Sequence, residues 1–373
     1  MNITINRAEL LHAARRAASI APPDSPMDVL KGTLLEAEGG RLTLTSTNME
    51  ISLEQKLACP TLEEDAVVVN ARLLTGMLEK LAGDTVELRR ESGREQMYVR
   101  GGEAEYLVPV WNRNSFPKLE IPFPEDTVKV SGIPSIARRT IFAAAKDGEK
   151  PLLKCVNLMF TRDGLQAAGS NGSCVVTAKG DDKSAGDIQM LVPASSLGKL
   201  ARICEDKDEF RVGTTGKAIV FFKENFAFSA RLLEGSYIDT DQLTGAVQNQ
   251  FAVLTGVQEL RKALDSVICV DVEGKVQLQF EGQRLKFSCS GEQGNTSSSM
   301  EVIPLTGIPQ GEYCYLTGQL MLCLRSLSGT ATLGVAQSGM LTLSTEDAFY
   351  MQTAMRPSAV AKSKGKPSAK KAA

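Results

Sequence analysis

The sequence predicts an α+β protein assembled from one structural unit used three times, and three observations carry that prediction. Leu30 and Leu153 open segments that run side by side without a gap, LKGTLLEAEGGRLTLTSTN and LKCVNLMFTRDGLQAAGSN, at an offset of 123 residues. A third copy, KVQLQFEGQRLKFSCSGEQ, puts Leu285 where the first two have Leu42 and Leu165. Around each copy the same order of helical and strand patterns recurs, and such self-similarity identifies repeated modules before any single element is assigned.

Each element follows from its local pattern. The three copies read as β-hairpins: alternating apolar residues, a turn containing Gly39-Gly40, Gly164 or Gly282, then a second alternating strand. Upstream stand the amphipathic helices AELLHAARRAASI, IPSIARRTIFAAA and VQELRKALDSVIC. Downstream a strand leads into a second helix in VVVNARLLTGMLEKLAG, MLVPASSLGKLARICED and YCYLTGQLMLCLRSLSG; Asn70 and Pro193 again differ by 123. Further strands close each unit: VELRRESGREQMYV with EAEYLVPV, EFRVGTTGKAIVFF with NFAFSARLL, and ATLGVAQSGMLTLS with DAFYMQTAM. A chain of 373 residues therefore divides at ordinary domain size into residues 1–124, 125–245 and 246–357. Residues 358–373 form a Lys-rich tail whose composition predicts disorder.

Enzymatic chemistry finds little support in the residue inventory. No GxGxxG phosphate loop is present, and Gly39-Gly40 and Gly101-Gly102 read as hairpin turns. The eight cysteines are scattered singly without a CxxC pair, which points to reduced core residues rather than metal or redox work. The one histidine, His12, sits in a predicted helix beside Arg15 and Arg16 and reads as a surface or groove-lining residue. A single histidine cannot build a His-containing zinc cluster. Glu63-Glu64-Asp65 and Asp181-Asp182 read as solvated turns between strands. No catalytic residue, cofactor or metal is expected. No apolar run reaches the length of a membrane span, and MNITINRAELL lacks the apolar core of a signal peptide, so the expected location is cytoplasmic.

Charge is more informative. The net charge of −2 includes five tail lysines with no acid among them, so the body before the tail is distinctly acidic. Its cations nevertheless gather on the predicted helices: Arg7, Arg15, Arg16, Arg72, Lys80, Arg138, Arg139, Lys146, Lys199, Arg202, Arg261, Lys262 and Arg325. Two readings account for this equally, a positive face turned toward a polyanion or solubilising charge on exposed helices.

The threefold unit, with VLKGTLLEAEGGRLTLTSTNMEISLE, WNRNSFPKL, RLLEGSYIDTD and the AMR ending at Arg356, resembles the bacterial β sliding clamp of the replicative DNA polymerase. The resemblance runs in order from residue 1 to 357. It implies a non-enzymatic processivity factor whose three DNA-clamp domains close head to tail with a second copy into a homodimeric ring. Helices would line the hole around duplex DNA, and sheets would form the rim. It implies sequence-independent phosphate contacts from Arg7, Arg15, Arg16, Arg138, Arg139, Lys199, Arg202, Arg261 and Lys262, because base readout would stop sliding.

The same resemblance implies a hydrophobic pocket for short peptides of the polymerase, the clamp-loader subunits and repair proteins. Its residues here would be Leu153, Ser170, Gly172, Val175, Ile238, Leu243, Met351, Thr353, Ala354, Met355 and Arg356. GSNGSCV replaces the family's ATDGHRL, Ile238 replaces Pro, and Thr353-Ala354 replaces Met-Pro, giving a smaller and more polar floor. Filling a domain boundary is the alternative role for these side chains. For ring closure it implies edge pairing by the strand Ala104–Trp111, with Tyr106 and Val108 opposite Val267 and Ile268; Trp111 fits either that interface or its own domain's core. The altered pocket also fits a second function, that of a clamp-like paralogue from a mobile element or phage acting as a binding scaffold. The tail reads either as extra DNA attraction or as a solubilising extension.

Overall fold

The computed structural model describes residues 1–355 apart from 92, 118–120, 122, 149, 181–187, 272–273 and 292–293. Arg356, Asp181-Asp182 and the Lys-rich tail lie outside the described residues. The chain forms two compact units, Met1–Leu243 and Thr244–Ala373.

Unit one holds two turns of the repeat. Its helices are α1 (Arg7–Ile20), α2 (Ala71–Lys80), α3 (Ile133–Thr140) and α4 (Ala194–Ile203), and the short α5 (Thr240–Gly245) begins at its end and runs past Leu243. The start of α1 is fixed by Asn6, whose side chain accepts hydrogen bonds from the Ala8 and Glu9 amides, and Asn70 caps α2 through the Leu73 amide. Leu10, Ala13, Ala14, Ala17 and Ile20 recur at helical spacing and form the buried face of α1, which packs on α2, as α3 packs on α4. The apolar periodicity made these four helices legible. The polar, one-and-a-half-turn α5, TDQLTG, carries no such period and was not anticipated.

The repeated hairpins pair as expected, except that Gly164, expected in a turn, instead opens the second strand of its hairpin and Arg162-Asp163 make the turn. Gly32–Glu38 meets Arg41–Thr47 with Glu38 opposite Arg41, Cys155–Thr161 meets Gly164–Ser170 with Thr161 opposite Gly164, and in unit two Lys275–Glu281 meets Arg284–Gly291 with Glu281 opposite Arg284. Each therefore turns through two residues; Gly39 and Gly40 take φ of 57° and 76°, as a two-residue turn of this hand requires. Strand Phe226–Arg231 of the second module pairs antiparallel with Ile51–Ala58 of the first, so one sheet runs through both. Val128–Val130, Phe210–Thr214 and Ala218–Lys223 extend that sheet beyond Phe226–Arg231, and the second module's remaining strands run in the order Ile188–Pro193, Cys155–Thr161, Gly164–Ser170, Cys174–Lys179.

Unit two carries α6 (Val257–Val267) packed on α7 (Thr317–Ser326). Its strands run Ala348–Gln352, Leu341–Ser344, Thr330–Ala336, Asn249–Gly256, Ile303–Thr306 in one order and Gly294–Glu301, Arg284–Gly291, Lys275–Glu281, Gln310–Leu316 in the other.

Three expectations are corrected or decided. Asp65 is no solvated turn residue: it begins the strand Asp65–Asn70 and receives Arg90 Nη1 at 2.9 and 3.1 Å together with the α-amino group of Met1 at 3.3 Å, an ion cluster that spacing alone could not reveal. Cys59, Cys155, Cys174, Cys204, Cys289 and Cys323 are buried, but Cys269 is exposed at the end of α6. Trp111 packs against its own module, beside a cluster of Val29, Leu30, Leu34, Val68 and Phe116.

Candidate nucleic-acid interface, peptide pocket and protomer edge

The helix cations fall into two groups that the sequence did not separate. Arg7 donates from Nε to Gly83 O at 2.7 Å and from Nη1 to Leu78 O at 3.2 Å, closing the C-terminal end of α2. Arg16 donates from Nε to Ile203 O at 2.8 Å, and Lys199 returns from α4 to Ile20 O at 3.4 Å, so each helix end at the seam between the first two modules receives a cation from the other helix. Arg138 donates to Ala201 O at 3.1 Å and pairs with Asp206. A helix C-terminus carries partial negative charge and unsatisfied carbonyls, so a cation there is stabilised on both counts. These four side chains are partly spent on holding the helix layer together. Burial among α1 and α4 also pulls the Lys199 ammonium below its ordinary pKa, with Glu50 opposing and Arg202 reinforcing the shift.

The second group is Arg202, Arg261 and Lys262. Arg202, on α4, and Lys262, on α6, are exposed and make no ion pair among the described residues; Arg261 is half-buried and likewise makes none. Arg15 is exposed and paired with Glu79 at 2.9 Å. Arg139 is half-buried on α3. His12 is exposed one turn before Arg15 and Arg16, on the rim of a hollow of about 610 Å³ that Glu9, Gln55 and Lys223 also line. Partial burial, with the positive charge of Arg16 and Lys223 beside it, holds the imidazole below its ordinary pKa of 6.5 despite an opposing pull from Glu205.

The expected pocket residues divide between the two units. In unit one Ser170 is buried and donates to Cys174 O at 2.9 Å while accepting from the Gly172 amide at 3.1 Å, so it braces the turn whose Gly172 takes φ of 90°. Val175 is buried, Leu153 and Ile238 are half-buried, and Leu243 on α5 is 43% exposed. Tyr237, which the sequence reading passed over, donates to Cys155 O at 3.3 Å beside Ile238; burial pushes its phenol up to about 12, so it is a fixed neutral donor. In unit two Met351 is buried on Ala348–Gln352, Thr353 and Ala354 are exposed, and Met355 is half-buried with its amide donating to Cys314 O at 2.7 Å. Met351 therefore supports from beneath, and Met355 offers surface.

At the expected protomer edge, Ala104–Asn112 pairs through residues 104–109 with Gln96–Gly101, and through 110–112 with Asp65–Asn70. Over 104–109 its other side meets no strand among the described residues. Tyr106 is half-buried on its module's core, and Val108, Val267 and Ile268 are buried within their own units, so these last three offer backbone position rather than side-chain surface. The exposed apolar side chain is Leu107, at 48%. Alternation explains the miss: residues of a strand face opposite sides in turn, and the two residues expected here flank the outward one. In unit two Gly294–Glu301 is likewise an edge, paired among the described residues only with Arg284–Gly291. No helix among the described residues is long and apolar enough to cross a membrane.

Repeated α+β modules with cation-bearing helices define the class of the sliding clamps, whose members are not catalysts. Residues 1–120 match the model of the DNA polymerase III β subunit N-terminal domain and residues 127–239 that of its central domain, together more than half the chain. The chain belongs to this family, as a homologue of the bacterial DNA polymerase III β subunit. It is 24% identical over 293 residues to the β sliding clamp of Bacillus subtilis, covering 74% of this chain and 76% of the relative. With that of Staphylococcus aureus it shares 24% over 256 residues, 65% and 67% of the two chains. Its fold is that of the DNA polymerase III β subunits of Pseudomonas aeruginosa (TM-score 0.83, 21% identity, 95% of this chain and 100% of that one) and Streptococcus pyogenes (TM-score 0.85, 19% identity, 96% and 100%).

Proposed function

We propose that three domains, residues 1–124, 125–245 and 246–357, close head to tail with a second copy into a ring around duplex DNA. The ring tethers a replicative polymerase, clamp-loader subunits and other clamp-binding proteins through the pocket residues Leu153, Ser170, Gly172, Val175, Ile238, Leu243, Met351, Thr353, Ala354, Met355 and Arg356. The observation that carries this reading is the division of the helix cations. Arg7, Arg16, Arg138 and Lys199 brace helix ends, while Arg202, Arg261 and Lys262 are left to attract phosphates diffusely. Such attraction carries no base readout, and so permits sliding.

Closure joins the open edge of residues 104–109 to the open edge of Gly294–Glu301 of the second copy, with Leu107 at the contact, which removes two exposed edges at once. Thr353 and Ala354 narrow the apolar floor, which supports the alternative of a clamp-like paralogue with altered partners. The test is topological. Protein loaded on nicked circular duplex should stay bound through a high-salt wash and run off once the circle is cut; loss from the intact circle at the same rate would refute enclosure. Leu107→Lys should lower the dimer fraction in light scattering and retention together.

A further inference from the structure

Three of the expected pocket residues in unit one sit on three separate segments, and one phenol joins those segments. Leu153 lies two residues before Cys155, Gly172 lies two residues after Ser170, and Ile238 directly follows Tyr237. The Tyr237 hydroxyl donates to Cys155 O at 3.3 Å, and the Ser170 main-chain amide donates to the same hydroxyl. Its proton and one of its lone pairs are therefore spent on backbone groups inside the fold. Burial keeps the phenol protonated, so it goes on donating throughout the neutral range.

Each part that the phenol joins has few other ties. Cys155–Thr161 pairs with Gly164–Ser170 as far as Val156 opposite Gly169, so Cys155 and Ser170 stand at the end of that ladder. Beyond Ser170 the chain turns, with Asn171 Oδ1 accepting from the Ser173 and Cys174 amides at 2.9 and 3.0 Å. The segment Leu232–Asp239 lies in no strand of the sheets and borders a hollow of about 750 Å³ that Asn157 also lines. Its Leu233 amide reaches Leu191 O at 3.1 Å, and Asp239 caps α5 through the Gln242 amide at 2.8 Å. Between these two anchors Tyr237 supplies a third, beside Ile238. The first module builds the same turn, with Thr47 Oγ1 donating to Ile51 O at 2.8 Å and accepting from the Met49 amide at 2.9 Å. At the 123-residue offset from Tyr237, however, it has Asn114. The turn therefore belongs to the repeat, and the tyrosine belongs to the second module.

We propose that Tyr237 is a positioning residue for peptide capture: its hydroxyl locks the chain at Leu153, the Gly172 turn and Ile238 into one wall, against which a partner's apolar side chain packs. The proposal rests on the peptide pocket put forward above. The hydroxyl acts through Ile238 and the turn, because its own bonds are made to main-chain groups. A wall already held in its bound shape lowers the ordering cost of binding, so loss of the clip weakens capture without removing a contact.

The probe is the blocked peptide serine–leucine–serine–leucine–leucine, labelled for fluorescence anisotropy against the full chain. Tyr237→Phe deletes only the hydroxyl; it should fold, weaken the probe about fivefold through faster dissociation, and speed amide exchange at Gly172. Thr33→Val is the control. Thr33 is buried and its hydroxyl donates to Thr45 O at 3.2 Å in the first module's hairpin, so that variant loses a comparable bond and should leave the affinity unchanged. A double-mutant cycle with Ile238→Ala separates positioning from general loosening: if the hydroxyl acts through Ile238, the two losses combine to well under their product. No binding to wild type at millimolar peptide refutes the pocket, and the proposal with it. Wild-type affinity in Tyr237→Phe, equal weakening by Thr33→Val, or a fully multiplicative cycle refutes the positioning role and leaves the pocket standing.

Discussion

The first two modules thread the same order of helices and strands and then treat their outer faces differently. In the first, Trp111 and Phe116 fold back over Leu34 and Val68 and shut the face with a small apolar core. In the second, the corresponding segment stands off, Gly235 lies so near Leu152 that a Cβ there would sit 2.8 Å from its Cδ2, and the floor is Asn157. Backbone topology thus fixes where a hollow can occur, and two or three side chains decide whether it is filled. The seam between the modules is treated symmetrically instead, with Arg16 and Lys199 crossing in opposite directions to cap α4 and α1.

The sharpest way to break that comparison is to empty the first module's face. Phe116→Ala removes a ring that is 5% exposed and should cost about 3–5 kcal/mol in denaturant melts. Asn157→Leu in the second module should do the reverse, stabilising by about 1 kcal/mol, because an orphaned acceptor gives way to carbon. Equal and opposite roles for the two faces would be contradicted by a destabilised Asn157→Leu. A smaller effect separates the two groups of cations. Arg16→Met should cost about 1–2 kcal/mol through its lost cap on Ile203. Arg202→Met should leave the melt unchanged and reduce the salt dependence of duplex binding.

Much of the fold was legible because the repeat multiplies each weak signal. Three hairpins aligned by Leu42, Leu165 and Leu285 constrain one another, and six helices share one apolar period. Helix α5 lacked that period. The candidate site was less legible, since exposure depends on what packs behind a residue: Tyr106 and Val108 were expected at the edge, and Leu107 between them is the outward side chain. The capping roles of Arg7, Arg16 and Lys199 join residues 76, 187 and 179 positions apart, a distance at which periodicity says nothing. The orphaned Asn157 could have been suspected, because the repeat sets it against Leu34.

Duplex DNA held against the helix layer would meet the chain's single histidine, which lies on helix α1 of that layer. In the free protein His12 is held below 6.5 by partial burial and by Arg16 and Lys223. The unfolded chain therefore takes up the proton first, and His12's contribution to stability is complete above pH 6.5 and declines as the pH falls from 6.5 toward the folded value. Phosphates brought against this face favour the imidazolium. An NMR titration of the His12 ring should give a pKa below 6.5 without DNA and a higher one with duplex bound at low salt; a pKa that duplex binding leaves unmoved would contradict the assignment of that face.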